Sequence, residues 1–272
     1  MHALEQFTGV PLGVLAGLLL AALAAGYIDA VVGGGGLIQL PAMLLGLGER
    51  APAVVLGTNK LSSIIGTTAA TATYLRRRDS RPEPAIVLPM AALAFIGSYV
   101  GAELASRVPP QVFRPLVLVL LVLVGVWTWR RPGLGEQDSL RFSSRARLGI
   151  ACAAGGVIGF YDGIFGPGTG SFLIFILVGA VGYSFLRASA TAKVVNWSTN
   201  LAALSVFAPD RNVLFALGAA MGCCNLIGAI TGARMAAARG SAFVRIAFLC
   251  VVAVLILKLG YDQVAPMIGA AR

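Results

Sequence analysis

The sequence predicts an all-α polytopic membrane protein built from two homologous halves, and three observations carry that prediction. The 272 residues are 58% hydrophobic and only 12% charged, with a mean hydropathy of +0.86. Apolar runs separated by short basic stretches recur along the whole chain. The string Gly26-Tyr27-Ile28-Asp29 returns 133 positions later as Gly159-Phe160-Tyr161-Asp162. A soluble domain carries about 25% charged residues. A chain so poor in charge cannot cover its apolar groups with a polar surface, so lipid takes that place.

The length suits about eight to ten membrane helices of roughly 20 residues each. In the first half, apolar runs lie near 10–32, 36–48, 52–75, 85–106 and 112–130. In the second half they lie near 148–165, 169–182, 186–208, 212–233 and 242–260. The second run of each half is short, about 13 residues, and follows a glycine-rich break. At 1.5 Å per residue it falls below the ~30 Å apolar core of a bilayer, so it reads as a half-helix or re-entrant piece. The expected division is a first repeat over 1–131, a basic cytoplasmic linker over 132–147 and a second repeat over 148–272. Only His2 and Glu5 precede the first run as ionisable side chains, and Ala21 to Ala25 imitates a signal-peptide cleavage site. Motif residues with later counterparts follow at once, so this run is expected to be a retained helix.

The net charge of +10 does not point to nucleic acid, because the basic residues sit in short runs between apolar segments, as orientation signals do. Arg76, Arg77, Arg78 and Arg81 form one cluster; Arg130, Arg131, Arg141, Arg145 and Arg147 a second; Arg234, Arg239 and Arg245 a third. If the short runs cross the bilayer, all three clusters and Arg187 fall on one side, the cytoplasmic one. Both termini are then outside and the halves are inverted. If they do not cross, eight helices remain and the third cluster falls on the opposite side. Ten crossing segments, some incomplete, are the expectation. Cys152, Cys223, Cys224 and Cys250 all lie in apolar runs without disulfide or zinc spacing. No metal or cofactor is expected.

The repeat locates the chemistry. The offset of 133 also pairs Gly33 with Gly166, Gly35 with Gly168, Thr58 with Thr191 and Lys60 with Lys193. Near residue 97 it becomes 131, pairing Gly97-x-x-x-Gly101 with Gly228-x-x-x-Gly232 and Arg114 with Arg245. The glycine pairs suit close helix packing. Repeats of this kind place substrate between them, near the midplane, at broken helices.

Three lysines occur, Lys60, Lys193 and Lys258, and the first two occupy matched positions deep in apolar runs. An ionisable residue inside a membrane is costly and marks either function or an ion pair locking helices together. Lys60, Ser63 and Thr67 share a helix face at i, i+3 and i+7, as do Lys193, Asn196 and Asn200. Two such faces turned together make a polar cavity suited to a small anion rich in acceptor oxygens. Thr58, Asn59 and Thr191 could bond at its edge; helix-to-helix hydrogen bonding is their other reading. The runs Gly33-Gly34-Gly35-Gly36 and Gly166-Pro167-Gly168-Thr169-Gly170 are not nucleotide-binding loops. A helix starting after such a break aims backbone N–H groups and its positive dipole end at the cavity; a plain tight turn is the alternative. Asp29 and Asp162 precede the breaks and could carry protons, pair with a lysine or cap the next helix.

Together, Gly26-x-x-Asp29-x-x-x-Gly33-Gly34-Gly35-Gly36-Leu37-Ile38-x-x-Pro41, Gly57-Thr58-Asn59-Lys60, Gly163-x-x-Gly166-Pro167-Gly168-x-Gly170 and Ala190-Thr191-Ala192-Lys193 resemble the sulfite exporter TauE/SafE family over nearly the whole chain. The resemblance implies a membrane transporter for sulfite, sulfonates or related anions, drawn with eight helices from a doubled four-helix unit; the charge reading departs by counting the short segments. The expected function is secondary transport of a small sulfur-containing oxyanion across a bacterial-type cytoplasmic membrane. Lys60 and Lys193 would supply charge, the glycine breaks N–H donors, and Asp29 or Asp162 proton coupling. A passive anion channel is the near rival. An intramembrane enzyme is the distant one, since the single histidine is His2 and no cysteine–acid cluster recurs.

The arginine placement predicts topology directly. A reporter fused after Arg272 should read outside and one inserted near Gln137 inside; a cytoplasmic C-terminus rules out the inverted ten-segment arrangement.

Overall fold

Every element that the computed structural model describes, over residues 8, 10–48, 50–105, 135, 137–140 and 142–269, is helical. Helix α1 (Leu12–Val32) ends at Gly33, whose left-handed backbone (φ 79°) lets its N–H close on the Asp29 carbonyl. Helix α2 (Gly36–Gly46) has only 11 residues, about 16 Å at 1.5 Å per residue. Helices α3 (Pro52–Leu75) and α4 (Pro84–Leu104) each start on a proline, whose missing N–H is no loss in the first turn. Helix α5 (Ser144–Ile164) begins inside the expected linker, capped by the Ser143 hydroxyl. Helix α6 (Thr169–Ile176) runs on as a π-helical turn, Leu177–Val181. Helix α7 (Phe185–Phe207) is capped by Ser184.

The expected runs near 212–233 and 242–260 form one helical stretch, α8 (Phe215–Gly269), broken at Gly240 by a non-helical φ of 74° and ψ of −169°. Beyond that break Phe248 packs on Phe185, with ring centroids 5.7 Å apart. The run expected near 112–130, with Arg114, Arg130, Arg131 and Arg141, lies outside the described residues.

By length and composition, α1, α4 and the Phe215–Cys250 part of α8 can cross a membrane. Helices α3, α5 and α7 are as long, at 24, 21 and 23 residues, but less apolar. Their polar groups, among them Asn59, Lys60, Asp162, Lys193 and Asn196, are buried within the bundle. Lipid meets Leu20, Leu88, Val157 and Ile227 instead, which stand exposed on the outside. The fold is therefore that of a polytopic helical membrane protein.

The halves interlock rather than sit side by side. Helix α4 packs on α5, and its repeat equivalent α8 packs on α1. Helix α8 also packs on α3, matched by α4 on α7, while α3 meets α7 directly. The glycines explain how. Gly97 and Gly101 lie against the backbone of Gly156 and Phe160, and at the equivalent place Gly228 and Gly232 lie against Leu23 and Tyr27. Gly159 abuts Ala94 and Gly26 abuts Asn225. Each of these pairs runs parallel. Helices α3 and α7 run antiparallel, with Gly57 beside Phe207 and Thr68 accepting from the Trp197 indole at 3.0 Å.

One end of the bundle carries Arg77, Arg147 and Arg187. Glu83 accepts from Arg147 at 3.2 Å and faces Arg187 at 3.6 Å. Asp138 pairs with Arg187 at 2.6 Å and accepts the Ser184 amide. Burial opposes the Asp138 charge, but the Ser184 amide and Arg187 outweigh it and hold its pKa below the usual carboxylate value. Arg77 reaches across to the Ala237 carbonyl.

This packing predicts opposite outcomes for two glycines of α5. A Cβ at Gly159 would strike the Ala94 backbone, whereas one at Gly149 meets nothing within 4 Å. Gly159→Ala should destabilise the protein by about 1–3 kcal/mol through overpacking. Gly149→Ala should be neutral or stabilise by up to ~1 kcal/mol, from the lower helix propensity of glycine. Thermal unfolding in detergent compares the two.

Candidate functional site

Lys60 is the ninth residue of α3 and Lys193 the ninth of α7. Both are essentially fully buried, at 1% and 0% exposure. An ammonium cannot remain alone there, since taking it out of water costs several kcal/mol even after relaxation. The fold answers with a carboxylate from the other half in each case. Lys60 Nζ lies 2.5 Å from Asp162 Oδ2 and donates to the Asp162 carbonyl at 2.9 Å. Lys193 Nζ lies 2.7 Å from Asp29 Oδ2. The two pairs occupy equivalent repeat positions. Of the three roles the aspartates could take, pairing with a lysine is the one the geometry displays, and the four groups sum to zero.

The glycine breaks bring this tetrad together. Gly33 packs against Gly170, and Gly36 against Gly166 and Pro167, so the starts of α2 and α6 meet at the centre. At Gly33 the φ of 79° and the Gly170 backbone both exclude a side chain. The Tyr161 hydroxyl donates to the Pro167 carbonyl at 2.7 Å and holds the second break. Ser171 and Ser189 donate to the carbonyls of Val32 and Val31 where α1 ends.

A small cavity opens at this junction. From the first half it is lined by Asp29, Gly33, Gly35, Gly36, Asn59, Lys60 and Ser63. From the second come Asp162, Gly166, Gly170, Asn196, Asn200 and Asn225. Lys193, which lies behind Asp29, and Thr58, Thr67, Thr191, Gly34 and Gly168 are not among the lining residues. The three threonines spend their hydroxyls on backbone one turn earlier: Thr58 on Val54, Thr67 on Ser63 and Thr191 on Arg187. Thr58 also accepts the Leu214 amide, tying α3 to the start of α8. Gly168 turns toward Leu37 and Phe172.

Asn225 is the lining residue that the repeat does not reveal. It sits against Gly26 and Gly66, and its amide donates to Gln39 Oε1 at 2.9 Å. Its counterpart at the 131 offset is Ala94, and the 133 counterpart of Gln39 is Phe172. The only sequence signal was an amide within an apolar run. Two further amides matter chemically. Among the described residues, Asn59 Oδ1 and Asn200 Nδ2 are buried without a hydrogen-bond partner, a state that costs about 1–3 kcal/mol per group. A polar occupant of the cavity would relieve both.

Comparison with known proteins agrees with this architecture. The family described as sulfite exporter TauE/SafE matches residues 18–259. A probable membrane transporter protein, ORF9, of Sinorhizobium sp is 36% identical over 254 residues, covering 93% of this chain and 95% of that protein. The probable membrane transporter protein YfcA of Escherichia coli (strain K12) is 35% identical over 263 residues, covering 96% and 94%. A probable membrane transporter protein of Haemophilus influenzae is 32% identical over 254 residues, covering 93% and 97%. No solved structure matches the chain significantly. With a family match over nearly its whole length and relatives at this identity, the chain belongs to the sulfite exporter TauE/SafE family of membrane transporters.

Proposed function

We propose that this protein is a proton-coupled secondary transporter for a small sulfur-containing oxyanion, such as sulfite or a sulfonate, in a bacterial-type cytoplasmic membrane. The observation that carries the reading is the buried Lys60–Asp162 and Lys193–Asp29 tetrad, shared between the halves around a cavity with orphaned amides. The description of the matching family, sulfite exporter, supports the substrate class.

The chemistry follows from charge. A neutral site in a low-dielectric interior resists a bare anion, because any net charge there carries a large desolvation cost. A carboxyl that takes up a proton releases its lysine, and the freed ammonium receives the anion with the site still neutral. Asn59, Asn196, Asn200 and Ser63 supply further polar contacts, and the N-terminal ends of α2 and α6 add partial positive charge. Alternating access would come from rocking one half against the other around the fixed site. The antiparallel crossing of α3 and α7, with Arg77, Arg147 and Arg187 at one end, supports an inverted relation between the halves.

A second reading takes the pairs as structural locks alone, and the buried geometry of Lys60–Asp162 favours it. A passive channel remains the other rival. Counterflow of labelled sulfite in proteoliposomes separates the three. A carrier shows saturable exchange, which a channel does not. Lys193→Met removes a charge-assisted contact of roughly 1.5–3 kcal/mol, so half-saturation should rise about 10- to 150-fold. Lys258→Met, at a position without a repeat counterpart, should behave as the parent protein. A well-folded Lys193→Met variant with unchanged rate and half-saturation ends the anion-site reading. Full recovery of transport on removing Lys193 and Asp29 together establishes the structural lock instead.

A further inference from the structure

The two ion pairs are equivalent in the repeat but unequally held. Asp162 is gripped on both carboxylate oxygens, with Lys60 on Oδ2 and the Thr169 hydroxyl on Oδ1 at 2.7 Å. Its backbone carbonyl takes a second bond from Lys60, and both side chains are 2% exposed. Asp29 receives Lys193 on Oδ2, its side chain is 17% exposed, and its carbonyl is occupied by the Gly33 amide at 2.8 Å. The sequence holds the reason. Thr169 stands, at the 133 offset, where the first half has Gly36, which has no hydroxyl to offer. Besides Lys193 on α7, Asp29 is faced by Tyr74 at the end of α3, whose hydroxyl donates to the Ala30 carbonyl. Asp162 is faced by Lys60 on α3 and by Tyr161 on its own helix.

We propose that Asp29 alone takes up the coupled proton and releases Lys193 to the anion, while Asp162 stays ionised and clamps Lys60. This rests on the transporter reading and sharpens it. Protonating Asp29 weakens one bond to a side chain that is already 17% exposed. Protonating Asp162 disturbs two contacts in an enclosed site, its Lys60 bond and that of the Thr169 hydroxyl, which also has the Gly166 carbonyl in reach at 2.9 Å. One protonatable carboxyl means one proton per turnover, and the Thr169/Gly36 difference is what sets the two aspartates apart.

Dicyclohexylcarbodiimide attacks protonated carboxyls in apolar surroundings, so peptide mass spectrometry of the purified full-length protein tests the assignment without knowledge of the substrate. Asp29 should be modified several-fold faster than Asp162. Gly36→Ser puts a hydroxyl at the repeat equivalent of Thr169 and should slow modification of Asp29; the new Cβ stands 3.3 Å from Pro167 Cα, which must give by a few tenths of an ångström. Thr169→Ala should speed modification of Asp162, and Thr169→Ser should leave it slow. Equal rates at the two sites, a faster rate at Asp162, or no modification of either overturns the proposal. In proteoliposomes, whatever rate Asp29→Asn retains should no longer depend on pH; pH dependence retained by Asp29→Asn also overturns it. A parent protein that labels at Asp29 but does not move sulfite refutes the substrate reading and leaves the proton assignment standing.

Discussion

The structure depends on each half providing the counter-ion that the other half needs. Lys60 is neutralised by Asp162 and Lys193 by Asp29. The bonded partner is never the aspartate of the same repeat. Removing one member of a buried pair leaves an uncompensated charge and costs about 3–5 kcal/mol. The two halves therefore stabilise each other through their most expensive groups. The interlocked helix order follows the same logic, since α3 and α7 must cross at the centre for each lysine to reach the opposite glycine break.

Lipid offers no hydrophobic drive for helices to associate, so close packing has to supply the attraction. The glycines of α4, α5, α1 and α8 do this by letting backbones touch where any side chain would hold them apart. The same property operates at Gly33 and Gly170, where the two breaks meet. Their contact brings two helix starts, two carboxylates and two ammonium groups into one small volume. Irregular backbone at this depth is tolerated because it is buried in protein and faces a polar cavity.

Much of this was legible because it is written twice. The constant offset pointed to Lys60 and Lys193 together, and the glycine breaks marked where helices would stop: the short runs near 36–48 and 169–182 became Gly36–Gly46 and Thr169–Val181. Features without a second copy stayed hidden. Asn225 and Gln39 form an unrepeated pair, so self-comparison passes over them. The threonines misled for a local reason. A hydroxyl in a helix can satisfy itself on the carbonyl one turn back, as Thr58, Thr67 and Thr191 do, without facing any cavity. Which aspartate each lysine would choose is a tertiary matter that helix periodicity cannot decide.

Duplication makes two equivalent sites, and departures from equivalence then carry information that the shared residues cannot. Two identical aspartates would compete for one proton, and neither would be committed to release its lysine. One hydroxyl, present at Thr169 and absent at Gly36, removes that ambiguity in the proposed mechanism: it binds one carboxylate more tightly and leaves its twin the weaker partner. The charge arithmetic then follows. A tetrad of net zero that gains one proton on Asp29 has a single unpaired ammonium, which matches a monoanion. In the proposed mechanism a dianion would leave the site one charge short, so that mechanism requires the singly charged form. For sulfite, the proposed substrate, that form is hydrogensulfite, an anion with both a donor for an orphaned amide oxygen such as Asn59 Oδ1 and acceptors for an amide nitrogen such as Asn200 Nδ2.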